Sequence, residues 1–276
     1  MGDALMRYAG TIERAPAMTH EHFYDAFFQK RPVAMPQKIS HWPALTQWSP
    51  EFFKRSYGDL PVWLSRYDPH SERSYLDQHI EYASRKTTMA DYVDALSGDH
   101  GFFSIRESIG MLQSHPELLE HVDGFRPFGC SSEPPASQYM ALWFSPGHDT
   151  TGMHIDVAEG LLFHIYGHKR VILLAPDQTG LVYEDDLNKL YARGLEDRID
   201  PEDLEMWRNF VRWSKVNPFE PDFERFPALR EATYFDVVIN PGDVLYIPLG
   251  WWHAVRSLDT TISISKSLFK DEFLRA

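Results

Sequence analysis

The second half of the chain is a succession of short apolar segments separated by glycine and proline turns. Several short strands at such spacing indicate a β-barrel or a jelly roll. The turn at Gly167 and His168 predicts a hairpin between the second and third of these segments. The segments that we predict as strands are residues 139–144, 161–166, 170–174, 234–239, 244–248 and 261–269. We therefore expect a mainly β fold.

The first half of the chain has a different pattern, with helix signals among short strand-like runs. Thr19, Ser49 and Thr88 each precede a stretch of helical character, and hydroxyl side chains at this position cap the free N–H groups of the first turn. Pro50 follows Ser49, and proline is favoured at the first helical position. Residues 66–88 are polar and predict a surface loop. These signals add helical elaborations to the β fold.

A chain of 276 residues is compatible with one domain. We expect residues 1–137 to form an N-terminal region of helices and strands, and residues 138–276 to form the β core. A charged insert at 183–222 interrupts the core, and Pro201 opens a predicted helix within it. The insert and the polar loop before it are candidate substrate-contacting segments, since loops on a rigid scaffold often carry specificity.

His154 and Asp156 are candidate metal ligands. On an extended strand, residues two apart point to the same face, so both side chains can aim at one point. His253 follows another strand-like run, and two imidazoles with one carboxylate form the facial triad of non-haem Fe(II) oxygenases. The alternative is that the histidines are core or turn residues and the aspartate is a surface residue. His148 and Asp149 are a rival pair, but adjacent residues on a strand face opposite sides.

Longer motifs surround these residues, at 151–156, 165–173, 223–227 and 241–253. Through them the chain resembles the JmjC-type cupin family of Fe(II)- and 2-oxoglutarate-dependent oxygenases, in particular its asparaginyl hydroxylases. The resemblance implies a double-stranded β-helix, which is a jelly-roll core of the cupin type. It also implies that His154, Asp156 and His253 bind Fe(II), with 2-oxoglutarate and O₂ as co-substrates.

The same resemblance implies a site for 2-oxoglutarate. Lys169 would pair with the distal carboxylate, because a buried carboxylate requires a cation and hydrogen bonds. The Thr151 hydroxyl would support that carboxylate, and Arg170 should face away from Lys169 on the strand. Ser267 and Gly160 stand where relatives carry asparagines that line the co-substrate site. We therefore include Ser267 among the predicted co-substrate-binding residues.

One further departure concerns a tyrosine that helps to hold the co-substrate in the relatives. Phe103 stands in its place and has no hydroxyl to donate, although Tyr139 could supply one. These departures motivate an alternative function, a metal-binding cupin without oxygenase activity that serves as a sensor or binding module.

The resemblance favours hydroxylation of a C–H bond in a peptide or protein side chain. Alternatives with the same chemistry are hydroxylation of an amino acid or other small molecule, and demethylation of N-methyl-lysine. The net charge of −13 argues against nucleic acid as a partner, since phosphate binding relies on basic residues. The oligomeric state stays open.

The sequence also gives an expectation for location. The single cysteine, Cys130, excludes an internal disulfide and is typical of a reducing compartment. The first residues lack the basic and apolar regions of a signal peptide, and no apolar run approaches the roughly 20 residues of a membrane span. We expect a cytoplasmic protein without a membrane partner.

Overall fold

The structure is a computed structural model that describes residues 6–71, 73, 74, 77, 78, 85–96, 98, 103–122, 140–156, 158–186 and 212–268. The predicted helix from Pro201 and the hydroxyl of Tyr139 lie outside the described residues. Within the described part of the chain, no helix is both long enough and apolar enough to cross a membrane.

Short helices are concentrated in the first half, and three of them begin where the sequence predicts. The hydroxyl groups of Thr19, Ser49 and Thr88 each accept a hydrogen bond from the backbone N–H three residues later. These bonds satisfy N–H groups that have no partner within the helix. The helices are α1 (His20–Ala26), α2 (Ala44–Gln47), α3 (Pro50–Tyr57), α4 (Met89–Ala95) and α5 (Ile109–Ser114), with 3₁₀ helices at Pro116–Val122, Pro176–Leu181 and Pro227–Glu231.

The strands form two sheets. They are β1 (Arg7–Gly10), β2 (Glu13–Arg14), β3 (Val33–Met35), β4 (Pro61–Arg66), β5 (Arg85–Thr88), β6 (Phe103–Ser108), β7 (Met140–Ser145), β8 (Thr150–Ile155), β9 (Glu159–Tyr166), β10 (Lys169–Leu174), β11 (Arg212–Trp213), β12 (Thr233–Ile239), β13 (Val244–Ile247), β14 (Trp252–Ser257) and β15 (Thr261–Leu268). Among the described residues, the six-stranded sheet has the order β1-β12-β10-β14-β8-β11, and the nine-stranded sheet β2-β3-β13-β9-β15-β7-β6-β4-β5.

Apolar side chains fill three layers around these sheets. One cluster lies between the sheets and joins Val171 and Leu173 of β10 to Leu245 and Ile247 of β13. A second covers the outer face of the smaller sheet, and a third packs the N-terminal helices against the outer face of the larger sheet. Two packed sheets with a helical layer confirm the prediction of a mainly β fold with a jelly-roll core.

The predicted hairpin at Gly167 and His168 is wrong. β9 pairs with β13 and β15, whereas β10 pairs with β12 and β14 in the other sheet. The turn is therefore a corner at which the chain crosses between sheets. Gly167 has a φ of +74°, and a Cβ there would meet the Thr260 carbonyl oxygen at 2.1 Å, so only glycine fits this corner. The alternation of side chains could not distinguish the corner from a hairpin, because both have the same local pattern.

The polar segment predicted as a loop is partly a strand. Its last residues form β5, which pairs with β4, and β6 then joins this N-terminal group to β7 of the core. The larger sheet thus runs without interruption from the N-terminal region into the jelly roll. This continuity brings side chains of β6 to the interior between the sheets.

Candidate metal centre

The structure brings the three predicted metal ligands together. His154 lies on β8 and is directly paired with His253 on the neighbouring β14, while Asp156 follows the end of β8. His154 Nε2 lies 3.2 Å from Asp156 Oδ1, and His253 Nε2 lies 3.4 Å from Asp156 Oδ2. Ligand atoms of the three residues all lie within 4.8 Å of one another. The arrangement matches a facial set of two imidazoles and one carboxylate.

Backbone carbonyl groups fix the orientation of both rings. His154 Nδ1 donates to the Gly152 carbonyl at 2.8 Å, and His253 Nδ1 donates to the Trp251 carbonyl at 3.1 Å. In the neutral imidazole the second nitrogen then carries a lone pair, and both lone pairs face the Asp156 carboxylate. Acceptor atoms in such proximity require a cation between them, either a proton or a metal ion. This donor set fits a divalent metal, and its imidazoles are held as metal-bound histidines usually are.

The electrostatics of the three residues are strongly coupled. Loss of solvation raises the pKa of Asp156, but His253 and His154 outweigh it and hold that pKa well below its usual range. Burial lowers the pKa of His253, yet the Asp156 carboxylate raises it overall. Asp156 is therefore ionised, as a metal-binding carboxylate must be. Its side chain is 44% exposed, so the centre is open to solvent on the aspartate side.

Gly160 lies next to this carboxylate. A Cβ at Gly160 would sit 3.4 Å from Asp156 Oδ2, and Ser267 pairs with Gly160 across β9 and β15. Gly160 and Ser267, which stand where the relatives carry asparagines, are thus neighbours on adjacent strands beside the candidate metal centre. Small side chains at both positions leave room next to Asp156.

Lys169 lies deeper, at the start of β10 and between the sheets. It is 4% exposed, and its Nζ donates a hydrogen bond of 2.8 Å to Ser263 Oγ. Among the described residues, no carboxylate lies within 4.0 Å of Nζ. Burial lowers the pKa of Lys169 to about 8. Arg170 faces the opposite side and pairs with Asp236, which confirms the predicted alternation.

Thr151 shares the interior face with His154 because of an irregularity in β8. Three residues apart on a regular strand, the two side chains would face opposite sides. From His253 to Val255, β14 advances by two residues, but β8 needs three residues to go from His154 to Thr151. The extra residue in β8 is a β-bulge, which returns Thr151 to the inner face. The bulge could not be read from the sequence.

Three further residues lie in this interior beside the predicted Thr151 and Lys169. Arg106 of β6 donates from Nη1 to Thr151 Oγ1 at 3.1 Å and forms an ion pair through Nη2 with Asp149. The Arg106 and Asp149 side chains are 9% and 3% exposed. Ser263 completes a group that we call the cation pocket, which consists of Arg106, Asp149, Thr151, Lys169 and Ser263. Asp149 was noticed in the sequence as a rival ligand, whereas no sequence signal identified Arg106 or Ser263.

Phe103, which stands in place of the co-substrate tyrosine of the relatives, does not line this interior. It packs with Ile105 against the apolar cluster between the N-terminal helices and the larger sheet, and Ile105 pairs with the outward-facing Phe144. Alternation along β6 therefore turns Phe103 outward and Arg106 inward. Arg106 of β6 therefore reaches the interior, and Phe103 is a packing residue.

His164 also borders the cation pocket, since it pairs with Ser263 across β9 and β15. It is fully buried, and its Nε2 donates to the Gly167 carbonyl at 2.7 Å. Burial and the nearby Lys169 ammonium lower its pKa to about 3. The imidazole is therefore neutral and adds no charge to the pocket.

Comparison with known proteins gives a consistent result. The Cupin-like domain family matches residues 19–269. Lysine-specific demethylase 8 of Xenopus tropicalis is 28% identical over 256 residues, which cover 89% of this chain and 50% of that protein. The human bifunctional peptidase and (3S)-lysyl hydroxylase JMJD7 is 24% identical over 254 residues, which cover 88% of this chain and 79% of that protein.

A shorter match is closer in sequence. Human HSPB1-associated protein 1 is 32% identical over 137 residues, which cover 49% of this chain and 24% of that protein. The chain thus spans about half of the length of the Xenopus demethylase and about a quarter of the length of human HSPB1-associated protein 1. The similarity concerns a cupin-like domain within longer relatives.

Proposed function

The chain belongs to the cupin-like family of JmjC proteins, as its motifs predicted, and on this premise we propose that it is an Fe(II)- and 2-oxoglutarate-dependent hydroxylase. The observation that carries the proposal is the combination of the convergent His154, Asp156 and His253 with a buried lysine that has no carboxylate within ion-pair distance among the described residues. The first group suits a metal ion, and the second suits the carboxylate of an anionic co-substrate.

The residues have separate tasks in this proposal. His154, Asp156 and His253 hold Fe(II), which with 2-oxoglutarate and O₂ supplies the oxidising power for C–H hydroxylation. The Lys169 ammonium pairs with the distal carboxylate of 2-oxoglutarate, and the Thr151 hydroxyl donates to it. Ser267 pairs with Gly160, which lies beside Asp156, and this position supports its proposed contact with the co-substrate.

Burial makes the role of Lys169 favourable. An ammonium group that is removed from water without a counter-ion costs several kcal/mol, which a bound carboxylate offsets. The apolar layer between the sheets lowers the local dielectric constant and strengthens the attraction. Lys169 and the three metal ligands would then hold the two ends of 2-oxoglutarate, so that this co-substrate has a defined orientation.

A peptide or protein side chain is the proposed substrate. The names of two relatives, a lysine-specific demethylase and a lysyl hydroxylase, support a lysine side chain of a protein as the first substrate to test. The described ends of the two segments proposed to contact the substrate touch each other, since Asn217 Nδ2 donates to the Pro69 carbonyl at 3.3 Å and His70 lies 3.2 Å from Glu220. An acidic chain of net charge −13 suits a basic peptide. A small-molecule substrate and a cytoplasmic location remain predictions from the sequence.

The test is anaerobic reconstitution with Fe(II) and 2-oxoglutarate, followed by visible absorption and by succinate formation with O₂. We expect the weak charge-transfer band of the iron chelate in the wild type. The band should disappear in His154→Ala and require far more 2-oxoglutarate in Lys169→Ala. His168→Ala is the matched control, because His168 is half exposed and pairs with Asp259 away from the centre.

The non-catalytic alternative makes a different prediction. A metal-binding sensor or binding module would bind Fe(II) through the same three residues but would give no chelate band and no succinate at any 2-oxoglutarate concentration. That result would overturn the oxygenase proposal.

A further inference from the structure

The cation pocket contains more charge than Lys169 alone. Arg106 and Lys169 supply two cations, and Asp149 supplies one carboxylate. His164 is neutral, since burial and Lys169 lower its pKa to about 3. The described residues of the pocket therefore retain one net positive charge, which equals the charge needed to neutralise one carboxylate group. Asp149 and Arg106 both influence the Lys169 pKa, so the three groups share one electrostatic environment.

Arg106 also determines how Thr151 can form hydrogen bonds. The Arg106 guanidinium is a donor only, so Thr151 Oγ1 must accept from it. The hydroxyl proton of Thr151 is then directed to another acceptor. A hydroxyl in this state can donate its proton to an anion.

The position of Arg106 strengthens this argument. It comes from β6, which joins the N-terminal region to the core sheet, and the other pocket residues lie on β10 and β15 or at the start of β8. The Asp149 carboxylate holds the guanidinium in the interior by a buried ion pair. Arginine forms several directed hydrogen bonds at once, which lysine cannot reproduce at a single point.

We propose that Arg106 is a positioning residue for the distal carboxylate of 2-oxoglutarate: it commits the Thr151 hydroxyl to donate to that carboxylate and, balanced by Asp149, sets the net charge of the cation pocket. This inference rests on the proposed function, because it names a determinant of co-substrate recognition at the same site.

The test measures co-substrate affinity by calorimetry on protein loaded anaerobically with Fe(II). The charge relation predicts an order among three variants. Arg106→Gln leaves Asp149 unbalanced and should weaken 2-oxoglutarate binding by about tenfold or more. The double variant Arg106→Gln with Asp149→Asn restores the net charge and should lose only about threefold to fivefold, through Thr151 alone. Asp149→Asn should bind at least as tightly as the wild type.

A second ligand separates positioning from a general structural effect. 2-Oxobutyrate has the same keto acid as 2-oxoglutarate but no distal carboxylate. Its affinity should change by less than about twofold in all three variants, because Arg106 acts on the missing group. Arg14→Gln is the matched control, since Arg14 pairs with the buried Asp243 outside the pocket and its loss should affect neither ligand.

Several outcomes are decisive. Equal losses for both keto acids, or an equal weakening by Arg106→Gln and Asp149→Asn, would show that the ion pair is only structural and would overturn the inference. If Arg106→Gln does not fold, the double variant takes its place, because it removes both members of the buried ion pair and leaves neither of them without its partner. Wild-type protein that binds iron but not 2-oxoglutarate would overturn the proposed function too, whereas normal binding with no effect at Arg106 would overturn this inference alone.

Discussion

The candidate metal centre and the cation pocket lie in the same interior but are built in different ways. His154, Asp156 and His253 come from two neighbouring strands of one sheet and its adjoining turn, and the Asp156 side chain is 44% exposed. The cation pocket combines residues from both sheets and the N-terminal region, and Lys169 is 4% exposed.

The difference separates two physical requirements. A metal centre needs directed lone pairs and an open side from which a substrate can approach, so partial exposure is compatible with its task. A site for a distal carboxylate gains from a dry environment, where a buried cation has few competing partners. If the two regions act separately, variants of one should leave the binding step of the other largely intact.

The largest effect is expected for His154→Ala. Removing one of three ligands should weaken Fe(II) binding by more than about a hundredfold, since even groups that only orient a ligand typically contribute ten- to hundredfold. Competition with a metal chelator measures this affinity. His168→Ala should bind iron like the wild type, and an intact affinity in His154→Ala would rule out its role as a ligand.

Lys169→Gln should break the cation pocket and spare the metal centre. We expect an increase of about a hundredfold in the dissociation constant of 2-oxoglutarate, because a charge-assisted bond in a dry site is lost. Iron affinity should stay within about twofold of the wild type. Arg170→Gln, on the same strand but on the opposite face, is the control, and a loss of iron in Lys169→Gln would show that the regions are not separable.

The pH dependence of co-substrate binding sharpens the same comparison. The pKa of Lys169 is lowered to about 8, so its ammonium form prevails below that pH and is lost above it. Affinity for 2-oxoglutarate should therefore be constant below pH 8 and fall by up to about tenfold per pH unit above it. Calorimetry at several pH values between about 7 and 9 measures this change in affinity. Lys169→Arg should remove the dependence, since a guanidinium stays charged.

The smallest effect is expected for Gly160→Ala. The new Cβ would lie 3.4 Å from Asp156 Oδ2, at the close end of ordinary van der Waals contact, so the carboxylate needs little or no shift and iron affinity should fall by less than about fivefold. Gly180→Ala is the control, because a Cβ there meets nothing within 4 Å. A loss as large as that of His154→Ala would mean that the position of Asp156 tolerates no shift.

The sequence by itself determined the features that depend on neighbours along the chain. The two-residue period of a strand places His154 and Asp156 on one side, and it separates Lys169 from Arg170. Thr19 identifies a helix start from a local hydrogen bond. Each of these depends on a few adjacent residues, so the local pattern suffices.

Only the tertiary structure decided which strands meet. The corner at Gly167, the bulge that turns Thr151 inward and the inward direction of Arg106 instead of Phe103 all depend on strand pairing over long separations. A corner and a hairpin have the same local pattern, and a bulge changes the facing of side chains without a mark in the sequence. The family motifs predicted the convergence of His154, Asp156 and His253, and they also predicted Lys169 and Thr151. Arg106 and Ser263 could not be predicted, because they become neighbours of Lys169 and Thr151 only when both sheets have formed.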